Sequence, residues 1–129
     1  MAKINRFEDV QSWKMARKVT KSIYGITSAG DFSRDFGLRD QIRRAAVSVM
    51  SNIAEGFERG GDKEFINFLS IAKGSCGEVR SQLYVALDQN YITSEQFEAI
   101  YKDLDETGRL IAGLMNYLKQ SDLRGSKLR

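Results

Sequence analysis

Apolar residues return every three or four positions along most of this chain, and the interruptions divide it into four segments. From about Val10 to Ser28, Ala16, Val19, Ile23 and Ile26 fall on one side of a helix. Asp9 stands where an N-cap is expected, because a short carboxylate can accept from the free N–H groups of a first turn. Asp31 to Ser33, after Ala29-Gly30, predicts a loop. A second helix is predicted from about Asp35 to Arg59, with Leu38, Ile42, Ala45, Val49 and Ile53 as its apolar seam. Gly60-Gly61 ends it, since glycine adopts the left-handed conformation that helix ends favour.

Asp62 is then predicted to cap a third helix reaching about Gln89, whose apolar arc runs Phe65, Leu69, Ala72, Cys76, Val79, Leu83 and Leu87. Asn90 is a stop signal, and Thr93-Ser94-Glu95-Gln96 matches the Thr-x-x-Gln capping box. The fourth helix is expected to run to about Gln120. Its seam, Phe97, Ile100, Leu104, Thr107, Ile111, Leu114 and Leu118, steps by three and four throughout. Four helices with short connections predict an all-α fold, an antiparallel up-down-up-down four-helix bundle over residues 1–120. A basic tail at 121–129 has little to bury and is expected to be flexible.

Composition changes the picture mainly by exclusion. The chain has 129 residues, 42% hydrophobic and 29% charged, which suits one soluble domain. It contains no His and one Cys, so histidine-based triads, His-ligated metals, internal disulfides and thiolate cages are excluded. It has no Pro, which suits long unbroken helices. No cofactor motif is present, and none is expected to bind. Lysines and arginines interrupt the first apolar segment, so it is not a signal peptide, and nothing approaches a membrane span. A cytoplasmic protein without membrane contact is expected.

The net charge is +3, unevenly spread. Residues 1–60 carry 11 basic and 7 acidic side chains, and residues 61–120 carry 6 and 9. In the first helix Lys14, Arg17, Lys18 and Lys21 form one stripe opposite the apolar side. Two readings stand open: a row of phosphate contacts, or the solvated face of a bundle helix. Trp13 and Tyr24 flank the stripe and could either stack on bases or close the edge of a core. Arg39 and Arg43 lie one turn apart at the margin of the second seam and extend the candidate nucleic-acid surface. The tail cations Arg124, Lys127 and Arg129 would assist. The acidic fourth helix and basic first helix suggest one basic and one acidic flank that could join copies head to tail. Met15, Ile66, Ile71 and Leu110 fall outside the main arcs and hint at a second contact surface.

Arg44, Ser48, Asn52, Glu55 and Arg59 make a polar row along the second helix, matched by Ser75, Glu78 and Gln82 on the third. Hydrogen bonds across a helix interface are the expected use, with Arg44, Ser48 and Glu55 as partners. A carboxylate pair, Glu55 with Glu78, could in principle serve as acid and base. No nucleophile, phosphate loop or ligand set accompanies it, so no enzymatic activity is expected. Gly74-Ser75-Cys76-Gly77 predicts close approach of another helix, because interior glycines each cost about 1 kcal/mol without one. Cys76 falls on the apolar arc and is expected to be a buried, inert thiol.

The block Leu38-Arg39-Asp40-Gln41-Ile42-Arg43-Arg44-Ala45-Ala46-Val47-Ser48, continuing Val49-Met50-Ser51-Asn52-Ile53-Ala54-Glu55-Gly56, resembles the hallmark of bacterial four-helix-bundle proteins encoded in 23S ribosomal RNA intervening sequences. Phe7-Glu8-Asp9-Val10 with Trp13 and Ala16, then Glu64-Phe65, Phe68-Leu69, Ile71-Ala72, Gly74-Ser75, Glu78 and Tyr91-Ile92, extend the match over about residues 7–120. Met50 stands where the family often has Pro, and Cys76-Gly77 where bulkier residues are common. The resemblance implies a compact antiparallel bundle assembled as a homopentameric ring, and a tie to ribosomal RNA genes. It also implies a distant similarity to retroelement accessory proteins that bind reverse transcriptase and nucleic acid. It brings no catalytic residues; Arg44, Asn52, Glu55 and Glu78 carry over as structural or interface groups. Two partner classes therefore stand beside self-association: RNA or another nucleic acid, and a protein bound by a scaffold that takes no nucleic acid.

Overall fold

The computed structural model describes residues 4–128, with side chains described through residue 121. Four helices account for most of it: α1 (Gln11–Ile26), α2 (Phe36–Glu58), α3 (Asp62–Asp88) and α4 (Ser94–Leu128). Among the described residues there is no strand. Each helix packs on two others: α1 on α2 and α4, and α3 on α2 and α4. A cyclic arrangement of this kind gives every apolar stripe two neighbours to bury against.

Most of the seam residues are buried, while Ile26, Leu38 and Leu87 are only partly so. Ala16, Val19 and Ile23 of α1, Ile42, Ala45, Val49 and Ile53 of α2, and the whole α4 seam are at most 9% exposed. They form two contiguous clusters. One joins Val19, Ile23, Ile42, Ala45, Val79, Leu83, Phe97, Ile100 and Leu104. The other joins Val10, Ala16, Val49, Ile53, Phe65, Leu69, Cys76, Ile111, Leu114 and Leu118. Burying an aliphatic side chain of this size contributes roughly 1.5–3 kcal/mol, so these two clusters are the main source of stability.

The punctuation is mostly local chemistry. Asp35 caps α2, its Oδ1 accepting from the Leu38 N–H at 3.2 Å. Its Oδ2 accepts from the Tyr91 hydroxyl at 2.9 Å, tying the start of α2 to the α3–α4 connection. That bond, with burial, holds the Tyr91 phenol above its ordinary pKa. The capping box forms in both directions: Gln96 N–H donates to Thr93 Oγ1 at 3.1 Å and Thr93 N–H to Gln96 Oε1 at 2.9 Å. Gly60 and Asn90 take positive φ, 86° and 60°, as helix stops.

Several boundaries differ from expectation for identifiable reasons. Asp9 does not cap α1. It belongs to a 3-10 turn, Phe7–Asp9, and Val10 takes the N-cap position without a side-chain bond. The segment expected as a loop contains a second 3-10 turn, Asp31–Arg34, because Phe32 drives into the core and is fully buried. Asp62 is the first residue of α3 rather than its cap; Gly61 occupies the cap. The α4 helix passes the predicted end near Gln120. Side chains of the tail cations Arg124 and Lys127, and all of Arg129, lie outside the described residues.

The close helix approach falls at a different glycine from the ones expected. A Cβ on Gly74 would meet nothing within 4 Å, and one on Gly77 only the Arg80 guanidinium at 3.7 Å. A Cβ on Gly56 would stand 2.6 Å from Phe68 Cβ and 3.0 Å from Phe65 Cδ1. The α2–α3 contact is therefore tightest at the glycine that ends the hallmark block.

Candidate nucleic-acid interface

The α1 stripe forms as the spacing predicts, but its four cations are not equivalent. Lys14, Arg17 and Lys21 are exposed, and among the described residues no carboxylate lies within ion-pair distance of them. Lys18 leans toward α4 and pairs with Asp103, Nζ to Oδ2 at 3.4 Å. Basic α1 and acidic α4 are neighbours, and this one pair joins their charges within the chain.

The two flanking aromatics separate. Trp13 is half-buried, packs against the second core cluster and meets Phe7 edge-on at 5.2 Å. Arg17 sits over its outer face at 5.8 Å. Trp13 thus closes a core edge, whereas Tyr24 remains 42% exposed.

On α2, Arg39 and Arg43 are half-buried and hold the α1–α2 connection in place. Arg39 donates to the Ser33 carbonyl and to Asp40 Oδ1, both at 3.0 Å, and lies over the Phe36 ring at 4.8 Å. Arg43 donates to Thr27 Oγ1 at 2.8 Å and Ser28 Oγ at 3.2 Å. Its guanidinium stacks 4.5 Å from the centre of the Tyr24 ring. Sequence spacing placed these arginines correctly on α2 but gave no sign of this bracing, which depends on partners some 16 residues away. Arg44 is exposed, with no carboxylate at ion-pair distance among the described residues.

The polar row of α2 is partly the network expected. Ser48 Oγ and Ser75 Oγ are 2.9 Å apart across the α2–α3 contact. Asn52 Nδ2 donates to the Ser48 carbonyl at 2.8 Å and to Ser48 Oγ at 2.9 Å. Glu55 departs from the expected role: it accepts from Arg59, the C-cap of its own helix, at 2.8 Å rather than reaching across with Arg44. Glu78 lines a groove of about 400 Å³ with Gln41, Arg44, Ser48 and Gln82. Within it the buried Gln82 Oε1 has no hydrogen-bond partner. Burial pushes the Cys76 thiol up to about 11, against a smaller lowering effect of Arg80.

A larger groove, about 590 Å³, opens between the start of α1 and α4. Val10, Leu110 and Leu114 wall it, and Asp9 opposes Lys14 and Arg109 at its rim. It lies off the basic surface of α2 and is predominantly apolar, so it suits a polyanion poorly.

Fold and surface together define a class: a four-helix, all-α protein whose first two helices carry a cation-rich exterior. The family model described as 23S rRNA-intervening sequence protein matches residues 8–113, and the chain belongs to that family. A solved structure similar to it is a protein of unknown function from the S23 ribosomal protein family of Bacteroides thetaiotaomicron VPI-5482. The two share 26% identity with a TM-score of 0.73, over 81% of this chain and 97% of the other. No curated protein matches. No helix among the described residues is long and apolar enough to cross a membrane.

Proposed function

We propose that this protein is a non-enzymatic, RNA-binding helical bundle that works as a homo-oligomeric ring of five subunits. The observation that carries the RNA reading is the trio Lys14, Arg17 and Lys21, exposed on one side of α1 and free of carboxylates among the described residues. Cations in a row along a rod release counterions from a polyanion and need no base-specific geometry. Arg43 and Arg44 extend the row onto α2. The family's association with 23S ribosomal RNA intervening sequences favours RNA over DNA.

The chain runs up-down-up-down, each helix antiparallel to its neighbours. In support, one core cluster gathers the end of α1, the start of α2, the end of α3 and the start of α4. Self-association is supported by three outward apolar side chains on α3: Ile71, Tyr84 and Val85, 54%, 49% and 44% exposed. Glu55 is engaged with Arg59, and Glu78 lines the α2–α3 groove with Gln41, Arg44, Ser48 and Gln82, so the two serve as structural groups and not as an acid–base pair.

Light-scattering mass, measured with and without a structured RNA fragment, tests both parts together. The expected result is a pentamer that gains the RNA's mass. Replacing Lys14, Arg17 and Lys21 by Gln should weaken binding by about 100-fold and lower the slope of log K against log salt by roughly 2 to 3. An unchanged salt series removes α1 from the interface. A pentamer that takes up no RNA leaves a protein-binding scaffold.

A further inference from the structure

Tyr24 lies three residues beyond Lys21 and seven beyond Arg17, on the same side of α1 as the free cations. Beside it α1 and α2 leave a recess of about 380 Å³ lined by Tyr24, Asp40, Arg43, Arg44 and Val47. That volume lies within the range of small-ligand sites, roughly 300–1,000 Å³. Its surfaces are unusual for the exterior of a helix pair. Tyr24 and Val47 are apolar yet 42% and 39% exposed. The Arg43 guanidinium is a flat cation, stacked on the Tyr24 ring at 4.5 Å and fixed by Thr27 and Ser28.

We infer that this recess takes one unpaired nucleobase of an RNA strand whose phosphates lie on the α1 cations. The inference rests on the RNA-binding reading and adds to it a preference for single strands and loops over duplex. The planar Arg43–Tyr24 stack offers a π and cation surface to a planar ring, and Val47 supplies an aliphatic wall. Asp40 decides which part of a nucleotide enters. A phosphate brings no donor for this carboxylate, whereas a base amino or imino group can donate to its Oδ2, Oδ1 being held by Arg39 at 3.0 Å. Arg44, at the rim and unpaired, holds the flanking phosphate. A paired base keeps its faces covered by its neighbours in the stack, so a duplex has nothing to insert.

Arg43 needs no rearrangement to serve, because its two hydroxyl partners already hold it in plane. The bracing that looks purely structural therefore also pre-organises the stacking surface.

Fluorescence anisotropy with a labelled oligouridine strand and a blunt RNA duplex of equal length, at one salt concentration, tests the recess. Wild-type protein should bind the single strand more tightly. Tyr24→Leu, which keeps an apolar side chain but no π face, should weaken single-strand binding about tenfold and leave duplex binding unchanged. Tyr24→Phe should behave as wild type. A Tyr24→Leu variant that binds the strand like wild type, or loses strand and duplex equally, overturns the recess. So does wild-type protein that prefers duplex, while leaving the α1 interface standing. Wild-type protein that binds neither RNA overturns the proposed function itself.

Discussion

The first two helices and the last two bury the same kind of seam and present opposite exteriors. In α1 there is no acid at all, and in α2 before Glu55 the one acid, Asp40, is bound to Arg39. Over residues 61–120, nine carboxylates outnumber six cations. Inside, Ile23 and Ile42 on one side and Leu83 and Leu104 on the other are equally inaccessible and share one cluster. The interior therefore sets the fold without distinguishing the halves, and only the exterior tells them apart. Apolar exposure divides differently. On α1 and α2 it is Tyr24, Phe36 and Val47, placed among arginines; on α3 it is Ile71, Tyr84 and Val85, with only Glu98 of α4 acting on the Tyr84–Tyr101 pair. Arginine beside an aromatic makes a surface for bases, whereas apolar groups without cations suit a protein.

The largest effect that would sharpen this division concerns pH. Cys76 lies in the α3 seam, 1% exposed, with its pKa raised to about 11 from 9.0. An acid whose folded pKa is raised keeps its proton longer in the folded chain than in the unfolded one. Stability is thus unaffected below about pH 9 and falls as pH rises toward 11. The expected loss is about 2 kcal/mol across that window. Tyr91, also raised, acts in the same direction at higher pH. Urea titrations of wild type and Cys76→Ala check it: the variant should lose the part of the slope between pH 9 and 11. Equal slopes would mean that the α3 seam does not shield Cys76 from water.

The next effect tests where the halves touch. Gly56→Ala forces a methyl against Phe68 Cβ at 2.6 Å, and both atoms belong to packed helices that must separate. Overpacking of this kind costs about 1–3 kcal/mol, and the gain in helix propensity returns roughly 1, so a net loss of up to about 2 kcal/mol is expected. Gly74→Ala is the control. With no atom within 4 Å it should gain about 0.5–1 kcal/mol. Thermal melts of the two variants should move in opposite directions. A destabilised Gly74→Ala would show that another copy of the chain closes on α3 at that position.

The fold was legible wherever the signal was periodic or local. Seams, the Thr93–Gln96 box and the stop at Asn90 all follow from residues within a turn of one another. What escaped depends on distant partners. Phe32 stands alone in a polar stretch, so no period announces that it fills the core and winds Asp31–Arg34. The tight glycine is Gly56 and not Gly74 because two phenylalanines on the next helix decide it. Of the candidate surface, the stripe itself was readable from spacing. The loss of Lys18 to Asp103, the fixing of Arg43 by Thr27 and Ser28, and the separation of Trp13 from Tyr24 were not, since each is settled by a neighbouring element.

The smallest effect lies where basic α1 meets acidic α4. The Lys18–Asp103 pair spans 3.4 Å, with Lys18 63% and Asp103 21% exposed. A pair this open to water contributes about 0.2–1 kcal/mol and weakens with salt. A double-mutant cycle with Lys18→Gln and Asp103→Asn should return a coupling of about 0.5 kcal/mol at low salt, falling toward zero as salt is raised. The same exchange makes a second, functional statement. Asp103→Asn releases a fourth cation to the stripe, so RNA affinity should rise two- to threefold and the salt slope steepen by roughly 0.7–0.9, the contribution of one more phosphate contact. Stability and affinity then move in opposite directions from one substitution. If affinity stays fixed while the coupling is lost, Lys18 points away from the bound strand, and the RNA path runs along the α2 side of the stripe.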